Sequence, residues 1–347
     1  MDPLSQTIAL LRPRGLLWKQ LEARGPWAAR FPSHTGAAFC LIESGRCTLG
    51  YPGRDQRELS DGDFVFLAAP PVWSLQTGAD VAPVDFTRPN TPTDFHAHQV
   101  GTNDAGPLLR LLGGHFRFDD TNIALGRRVL PDIVAINAAD PAAARLQGVL
   151  DAIAYEARSQ RPGRALALDR LLELLLVEVI RNDGSWTSEM RPGLLAGLAD
   201  PRLALALNAV HAEVKRSWTV AQLADIAGMS RSVFADRFAR IVGLAPIDYL
   251  TEWRMAIAKD MLRAGEARLA EVAFECGYQS TSAFSTAFAR SVGCPPSRFA
   301  DLQRSGVAAS PLTPRSGIEA GQPGSIPYGS RSGAAATPPP RIDPTWQ

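Results

Sequence analysis

The sequence predicts an α+β protein of two domains, in which a β-sandwich or small barrel is followed by helices and then by an all-α domain. Three observations predict this fold class. Short apolar runs between turn residues fill about the first 135 positions, and helical periods fill the chain beyond residue 140. One helical arrangement near residue 230 also recurs about fifty residues later. At 347 residues the chain exceeds the size, roughly 250 to 300 residues, at which single cores stop growing.

The composition is that of a globular protein, with 46% apolar residues, 20% charged residues and a net charge of +1. This charge gives no overall basic field that would indicate nucleic acid. The four cysteines contain no CxxC pair, which argues against a secreted disulfide framework and a structural zinc site. The chain contains neither a signal peptide nor an apolar run of roughly 20 residues that could span a bilayer. We therefore expect a cytoplasmic protein with no membrane partner.

The first domain, residues 1–135, consists of apolar runs of five to seven residues cut by Gly, Pro, Asp and Ser. The segment ESGRC predicts a hairpin turn at Ser44 and Gly45, flanked by Cys40 and Cys47. In that hairpin the two cysteines would be diagonal neighbours with their Cα atoms about 7 to 8 Å apart. This exceeds the roughly 4.4 to 6.8 Å between the Cα atoms of an unstrained disulfide. Redox sensing by this pair would need a rearrangement, and the alternative is two buried apolar thiols.

Two helices are predicted in residues 136–183. The first begins with Asp140 as N-cap and Pro141 at the first helical position, and the second ends at an Asn-Asp-Gly stop. The second helix, ALALDRLLELLLVEVI, is apolar around most of its circumference. We expect it to pack on its own domain and on the same helix of a second subunit, and the alternative is burial within one subunit. Residues 184–200 indicate a linker, and the Pro-, Gly- and Ser-rich residues 305–347 indicate a disordered tail.

The all-α domain, residues 201–304, contains the same unit twice. In each copy an alanine is followed four positions later by a glycine, which can take the positive φ that reverses the chain. Two phenylalanines then follow at i and i+4, on one side of the next helix. The corresponding residues are Ala224, Gly228, Phe234 and Phe238 in one copy and Ala273, Gly277, Phe284 and Phe288 in the other. The pattern predicts two helix-turn-helix units.

The second helix of each unit should present a polar face to solvent. On a wheel of about 100° per residue, Ser232, Asp236 and Arg240 lie opposite Phe234, and Ser282, Thr286 and Arg290 are exposed in the other copy. Ser230, and Ser280 or Thr281, are candidate N-caps. A helix of roughly 18 residues, beginning at Pro246, separates the units by about 27 Å. This length would allow the two outer helices to enter successive major-groove faces about 34 Å apart.

The segment WTVAQLADIAGMSRSVFADRFARIVGLAPIDYLTEWRMAIAKDMLRAG, followed by RLAEVAFECGYQSTSAFSTAFARSVGCPPSRF, resembles the DNA-binding domain of AraC/XylS-type transcription regulators. The resemblance covers residues 201–304 and implies double-stranded DNA as partner, RNA polymerase as a further partner, and no cofactor. It implies base contacts from one set of residues and phosphate contacts from three arginines. The base-contacting set is Ser232, Ala235, Asp236, Thr281, Ser282 and Thr286, and the phosphate-contacting arginines are Arg231, Arg240 and Arg290.

The sequence departs from this family in its charge. Members often carry a basic or amide residue where Asp236 and Thr286 stand here, and a basic residue at Ala289. Residues 200–304 hold 13 lysines and arginines against 11 aspartates and glutamates, a net charge of +2. We therefore expect modest attraction to phosphates, with avidity from a homodimer supplying much of the binding. Asp236 could accept a hydrogen bond from the N4 amine of cytosine, and the alternative is a solvated or Arg-paired carboxylate.

The first half resembles the cupin-like sensor domain that precedes such DNA-binding domains, through GAAFCLIESGRCTL, LSDGDFVFL and RLLGGHFRFDD. This resemblance implies an unknown small-molecule effector. His96 and His98 form a His-x-His pattern and are weak metal candidates, but a cupin metal site also needs a nearby carboxylate and a further histidine. Exposed loop histidines are the alternative for this pair, and His34 and His115 are expected to be structural or to line a ligand pocket.

The function predicted from the sequence is that of a DNA-binding transcription regulator that responds to a small effector and is not an enzyme. One alternative is a metal-dependent cupin enzyme with an accessory DNA-binding domain. Another is a DNA-architectural protein without a sensor, for which removal of residues 1–135 would leave regulation unchanged. The effector, the operator and the choice between activation and repression are left open by the sequence.

Overall fold

The computed structural model describes residues 2–78, 81–86, 98–101, 108–122, 125–126, 129–140, 143–159, 161–181 and 192–305. The predicted disordered tail therefore lies outside the described residues, apart from Ser305. Eleven strands belong to the described part of the chain: β1 Arg14–Arg24, β2 Ala28–Phe31, β3 Ala37–Ser44, β4 Cys47–Gly50, β5 Arg57–Leu59, β6 Phe64–Ala68, β7 Trp73–Gln76, β8 Val84–Asp85, β9 His98–Gly101, β10 Leu108–Arg117 and β11 Ile133–Ile136.

The helices have the following bounds: α1 Pro3–Leu11, α2 Ala143–Arg158, α3 Arg164–Arg181, α4 Leu194–Ala199, α5 Pro201–Ala212, α6 Val220–Ile226, α7 Arg231–Val242, α8 Pro246–Ala264, α9 Leu269–Glu275, α10 Thr281–Val292 and α11 Pro296–Arg304. A short 3₁₀ turn spans Asp120–Asn122. A β-rich first half followed by helices and an all-α second half is the predicted fold class, which is thereby confirmed.

The strands form two sheets. One has six strands in the order β11-β6-β3-β10-β1-β9, and the other has five in the order β5-β4-β7-β2-β8. Strand β3 shows how they pack, because side chains on a strand alternate between its two faces. Phe39 and Leu41 point to a cluster that includes α2 and α3. Cys40 and Ile42 point to a second cluster between the sheets. The six-stranded sheet is thus the middle of three layers.

The predicted hairpin at Ser44 and Gly45 is wrong. Strand β3 pairs with β6 and β10, whereas β4 pairs with β5 and β7 in the other sheet. Gly45 has a φ of +96° and allows the chain to cross between the sheets at this turn. Cys40 is therefore paired with Val65 and Gly113, and Cys47 with Leu59. Both thiols are buried and free, and burial raises the pKa of Cys47 to about 12 and that of Cys40 further.

Helices α2 and α3 cover the outer face of the six-stranded sheet. Leu172, Leu175, Leu176 and Val179 of α3 are buried in this layer. Helix α3 lies close to β1 because Gly15 has no side chain: a Cβ there would lie 2.4 Å from a methyl carbon of Leu172. Other residues remain at the surface, namely Tyr155, 64% exposed, Leu166, 62% exposed, and Leu174, 43% exposed. Complete burial of the α3 helix within one subunit is therefore excluded.

The segment predicted as a linker contains a helix. Helix α4 packs closely against α5 and α7 at Gly197, where a Cβ would lie 2.7 Å from a methyl group of Leu207 and 2.8 Å from one of Val242. Leu194 is buried in the apolar cluster of the first helix-turn-helix unit. The amide of Gly193 also donates to the carbonyl of Ile241. Residues 193–199 thus pack as part of the all-α domain, and residues 182–191 lie outside the described residues.

Candidate nucleic-acid interface

The two helix-turn-helix units are α6 with α7 and α9 with α10. In the first turn, Gly228 has a φ of +63°, and in the second, Gly277 has a φ of +74°. The amides of Met229 and Tyr278, the residues that follow these glycines, donate to the carbonyls of Ala224 and Ala273 at 2.9 Å in both turns. The reversal predicted from the Ala-to-Gly spacing is therefore present in both copies.

The buried sides of α7 and α10 are also equivalent. Phe234 and Phe238 have ring centroids 5.5 Å apart, and Phe284 and Phe288 have theirs 5.6 Å apart. All four rings are at most 1% exposed. Each pair lies at the centre of its own apolar cluster, one built with α5, α6 and the start of α8, the other with the remainder of α8 and with α9 and α11. Burial of these faces fixes which side of each helix is presented to solvent.

The exposed faces follow from this packing. In each helix the first three residues and the sixth are exposed, and the fifth is half-buried. This places Ser232, Asp236, Thr281, Ser282 and Thr286 on exposed faces, with Ala235 half-buried at their edge. Arg231, Arg240 and Arg290 are exposed as well. The structure thus divides both predicted sets between the exposed faces of α7 and α10, and the contacts of these residues with DNA stay a prediction.

The helix starts differ in one respect. Ser280 accepts a hydrogen bond from the amide of Ala283 at 3.2 Å and caps α10 as predicted. Ser230 occupies the N-cap position of α7, but its side chain makes no capping hydrogen bond. The first-turn amides of α7 are therefore left without this partner.

Two further residues shape this surface and were not predicted from the sequence. Val233 is 56% exposed beside Ser232, which adds an apolar group suited to contact with a thymine methyl. Arg237 of α7 is held against the start of α5, since its guanidinium forms an ion pair with Asp200 in which Nε lies 2.7 Å from Oδ2. An exposed valine next to a predicted contact could have been identified on the helical wheel. The partner of Arg237 could not, because Asp200 lies 37 positions away.

The first domain contacts α8, the helix between the two units. Arg12 pairs with Asp260 at 3.0 Å, and Asp119 pairs with Arg263 at 3.1 Å. The carbonyl of Thr121 accepts from Lys259 Nζ at 2.6 Å, and the side-chain amide of Asn122 donates to the carbonyl of Ala256 at 3.2 Å. These contacts use residues 256, 259, 260 and 263, which share one side of α8 because helical neighbours are three and four apart. We refer to these four positions as the α8 stripe.

A second contact between the domains is buried. His211, at the end of α5, forms two hydrogen bonds. Its Nδ1 lies 3.0 Å from the side-chain oxygen of Gln6, and its Nε2 lies 2.6 Å from the Tyr249 hydroxyl. Burial lowers the pKa of His211 to about 4, against a small opposing effect of Asp2. A neutral imidazole at this position joins α1 to α5 and α8.

The weak metal candidates do not form a described site. His96 lies outside the described residues, and only the backbone of His98, in β9, is described. Within the described part of the chain, no group of three or more His, Cys, Asp and Glu side chains is placed to hold a metal ion. His34 and His115 have ring centroids 4.9 Å apart, and the amide of Gly36 donates to His34 Nδ1. The helices of the described part of the chain include none long and apolar enough to cross a membrane.

Comparison with known proteins assigns the family. Residues 2–183 match the cupin family, and residues 223–301 match a helix-turn-helix domain family. An AraC-like transcription regulator of Streptomyces lividans is 38% identical over 297 residues, which cover 85% of this chain and 97% of that protein. The chain belongs to the AraC-like family of transcription regulators. A second AraC-like regulator, from Streptomyces antibioticus, is 36% identical over 85% of this chain and 97% of its own length.

Among solved structures, the DNA-binding domain of the transcriptional factor AdpA, in complex with a target DNA, is 29% identical to this chain. The match covers 32% of this chain and 99% of that domain, with a TM-score of 0.30. As an AraC-like regulator, the chain is a DNA-binding protein with a cupin domain in its first half. The family assignment agrees with the predicted resemblance on both halves of the sequence.

Proposed function

We propose that this AraC-like regulator binds a specific operator through α7 and α10 together, one helix in each of two adjacent major-groove segments. The observation that supports this is the equal exposure of the two helices, since each presents residues at positions one to three and six of the helix. A helix that buries two phenylalanines on one side and offers short polar groups on the other has the form of a recognition helix.

The proposed contacts divide into two kinds. Hydroxyls and the Asp236 carboxylate lie on the exposed faces and are suited to base edges, whereas the arginines are suited to phosphates. The base-contacting residues are proposed to be Ser232, Ala235, Asp236, Thr281, Ser282 and Thr286, and the phosphate-contacting residues Arg231, Arg240 and Arg290. Asp236 is exposed, so its carboxylate is available to accept a hydrogen bond from cytosine N4.

Selection from a random duplex library with the full chain tests this proposal. Wild-type protein should enrich one sequence with two contacted segments. Asp236→Ala should relax the preference at one base pair by about 1 to 3 kcal/mol. Asp301→Ala, which removes an equal charge from an exposed residue of α11, should leave the preference at every position unchanged. Unchanged selectivity in Asp236→Ala would remove this residue from base recognition.

We further propose that two copies pair through residues 136–183, so that two half-sites are bound at once. Tyr155, Leu166 and Leu174 support this, because large apolar side chains exposed on neighbouring helices are typical of an interface. A binding domain with a net charge of only +2 gains most from such avidity. Residues 1–135 would then be the sensor domain, 184–200 the connection and 201–304 the DNA-binding domain.

The proposed effector acts through the first domain, and the α8 stripe offers its route to DNA. A ligand shifts an equilibrium only by binding one domain arrangement better than another, and we propose that the α8 stripe contact is formed in one of these arrangements and altered in the other. Regulation, with RNA polymerase as further partner, would take place in the cytoplasm, where the DNA is. The protein would act as a regulator without catalysing a reaction.

The double substitution Arg12→Ala with Asp119→Asn tests this route, since both residues lie outside the DNA-binding domain. We expect binding to the selected duplex to persist and its response to added cell extract to be lost. Arg145→Ala, an exposed change on α2, is the matched control and should keep the response. A response that survives the double substitution would refute the α8 stripe as the route.

A further inference from the structure

Arg254 joins α8 to the segment that leads into the first helix-turn-helix unit. Its Nε and Nη2 donate to the carbonyl of Val214 at 3.0 and 2.9 Å, and Nη2 also donates to the carbonyl of Arg216 at 2.8 Å. Both carbonyls belong to residues 213–219, between α5 and α6. The next residue, Met255, is buried in the cluster of the second unit. The Arg254 guanidinium therefore connects the segment before the first unit to the part of α8 on which the second unit packs.

The same segment touches the second unit directly. Lys215 Nζ lies 2.7 Å from Glu275 Oε1 and 4.8 Å from the centroid of the Phe274 ring. Glu275 and Phe274 form the last turn of α9. The segment 213–216 thus joins the two units through the contacts of Lys215 with α9, in addition to the covalent connection through α8.

Gly277 makes this contact possible. A Cβ at this position would lie 2.6 Å from Arg254 Nη2 and 2.7 Å from the carbonyl oxygen of Lys215. Its φ of +74° independently favours glycine. By contrast, a Cβ at Gly228, the equivalent glycine of the first unit, would meet nothing within 4 Å. The second turn is therefore packed against the first unit, and the first turn has no such neighbour among the described residues.

A connection through α8 alone would leave the two helix-turn-helix units free to rock relative to each other. The two apolar clusters attach each unit to a different part of α8, and they share no buried residue. A unit that rocks by about 20° about a helix one helix diameter away, about 10 Å, moves its recognition helix by about 3.5 Å. Hydrogen bonds to bases tolerate a change of only roughly 0.5 Å in the distance between donor and acceptor. A contact that prevents rocking is therefore required for both helices to meet base edges together.

We infer that Arg254, seated against Gly277, is a positioning residue that fixes the separation and angle of the two recognition helices, and so sets which spacing of operator segments is accepted. This inference rests on the proposed function. The planar guanidinium donates to two carbonyls at once, whereas a lysine ammonium is a point charge without that fixed geometry. Arg254→Lys therefore keeps the charge and removes the positioning, which separates this role from simple attraction to phosphates.

A measurement without DNA tests the geometry. Nitroxide labels on Ser232→Cys and Ser282→Cys, both exposed, report the distance between the recognition helices by double electron-electron resonance. Cys294→Ser removes the partly exposed native thiol, since the other three are buried. We expect one narrow distance distribution in the parent protein and a distribution at least about twofold wider in Arg254→Lys and Arg254→Ala. Equal widths in parent and both variants would overturn the inference.

A measurement with DNA tests the consequence. The duplex selected by the wild-type protein is compared with one carrying two extra base pairs between its contacted segments, which rotates one segment by roughly 70°. Wild type should lose about 10- to 100-fold in affinity on the insertion, and Arg254→Lys less than about threefold. An equal loss in both proteins would overturn the inference. Circular dichroism should show equal helix content in parent and Arg254→Lys, which excludes unfolding as the cause.

The two proposals fail in different ways. If the wild type enriches no sequence from the library, the proposed function is refuted, whereas the width of the spin-label distribution still reports whether Arg254 fixes the two helices. If enrichment occurs and Asp236→Ala relaxes one base while Arg254→Lys changes neither width nor spacing penalty, the proposed function stands and the positioning role is refuted.

Discussion

Asp200 is the residue whose replacement tests how α7 is held. Its Oδ1 accepts from the amides of Arg202 and Leu203 at 3.0 and 3.1 Å and caps α5. Its Oδ2 pairs with Arg237 of α7 at 2.7 Å from Nε. The carboxylate is buried, with 6% of its side chain exposed, and Arg237 is 41% exposed. One carboxylate thus caps the first helix of the domain and ties a recognition helix to it.

The expected loss follows from these two contacts. Removal of an N-cap costs about 1 kcal/mol. A charged hydrogen bond contributes about 1.5 to 3 kcal/mol when buried, which we reduce to about 1 kcal/mol because Arg237 is partly solvated. Asp200→Ala should therefore lower the free energy of unfolding by about 2 kcal/mol. Asp200→Asn keeps a capping oxygen and should lose about half as much.

Urea unfolding of the full chain, followed by tryptophan fluorescence, measures both losses, since Trp218 lies in the same apolar cluster. The pH dependence adds a second check. Burial raises the pKa of Asp200, but hydrogen bonds from Leu203, Arg237 and Arg202 outweigh it and hold the pKa below its usual value. The stabilisation is therefore complete above the unfolded carboxyl pKa of about 4 and is lost as pH falls through the lower, folded pKa. Equal stability of wild type and Asp200→Ala at pH 7 would refute the reasoning.

Three further predictions follow from the described contacts. Arg240→Ala should weaken binding to all duplexes about equally and reduce the slope of log affinity against log salt by about 1; a change at one base pair would reject its phosphate role. Between pH 6.5 and 4 the unfolded chain protonates His211 while the folded chain does not, so the free energy of unfolding should fall by up to about 3 kcal/mol on acidification, and by less in His211→Asn; an equal change in the free energy of unfolding between pH 7 and 5 in wild type and His211→Asn, measured by urea titration, would contradict this. Leu174→Glu should shift sedimentation towards the monomer, and Asp169→Glu, at an exposed position on the same helix, should not; a dimer that survives Leu174→Glu would exclude this face.

The repeated unit could be predicted because its signals are local. Phenylalanines four apart specify one buried helix side, and the glycine at the end of the preceding helix specifies the turn. Phe238 and Phe288 are buried, and Gly228 and Gly277 have positive φ, as these signals require. The side of each recognition helix opposite its phenylalanines is then the side exposed to solvent.

The remaining features depend on partners distant in sequence. The same turn residues around Gly45 suit a next strand that pairs with β3 and a next strand that crosses to the other sheet. The sequence therefore could not exclude a hairpin between β3 and β4. Arg254 and Arg237 resemble solvated arginines, because their partners are backbone carbonyls 38 to 40 positions away and a carboxylate 37 positions away. Backbone carbonyls carry no sequence signal. The crossing between sheets at Gly45 and the contacts of these two arginines were therefore beyond prediction from the pattern of residues.

The contacts made by α8 fall on opposite sides of this helix. Taking residue 256 as zero and about 100° per residue, positions 259, 260 and 263 lie within about 60° of it, and Arg254 lies about 160° away. The first domain therefore holds α8 on one side through Lys259, Asp260 and Arg263, while Arg254 holds the entry to the first unit on the other. We therefore expect the Arg254 hydrogen bonds to oppose a movement of the first domain that pulls on the α8 stripe. If the effector acts by this route, it changes the geometry of the two recognition helices, and its effect should depend on operator spacing.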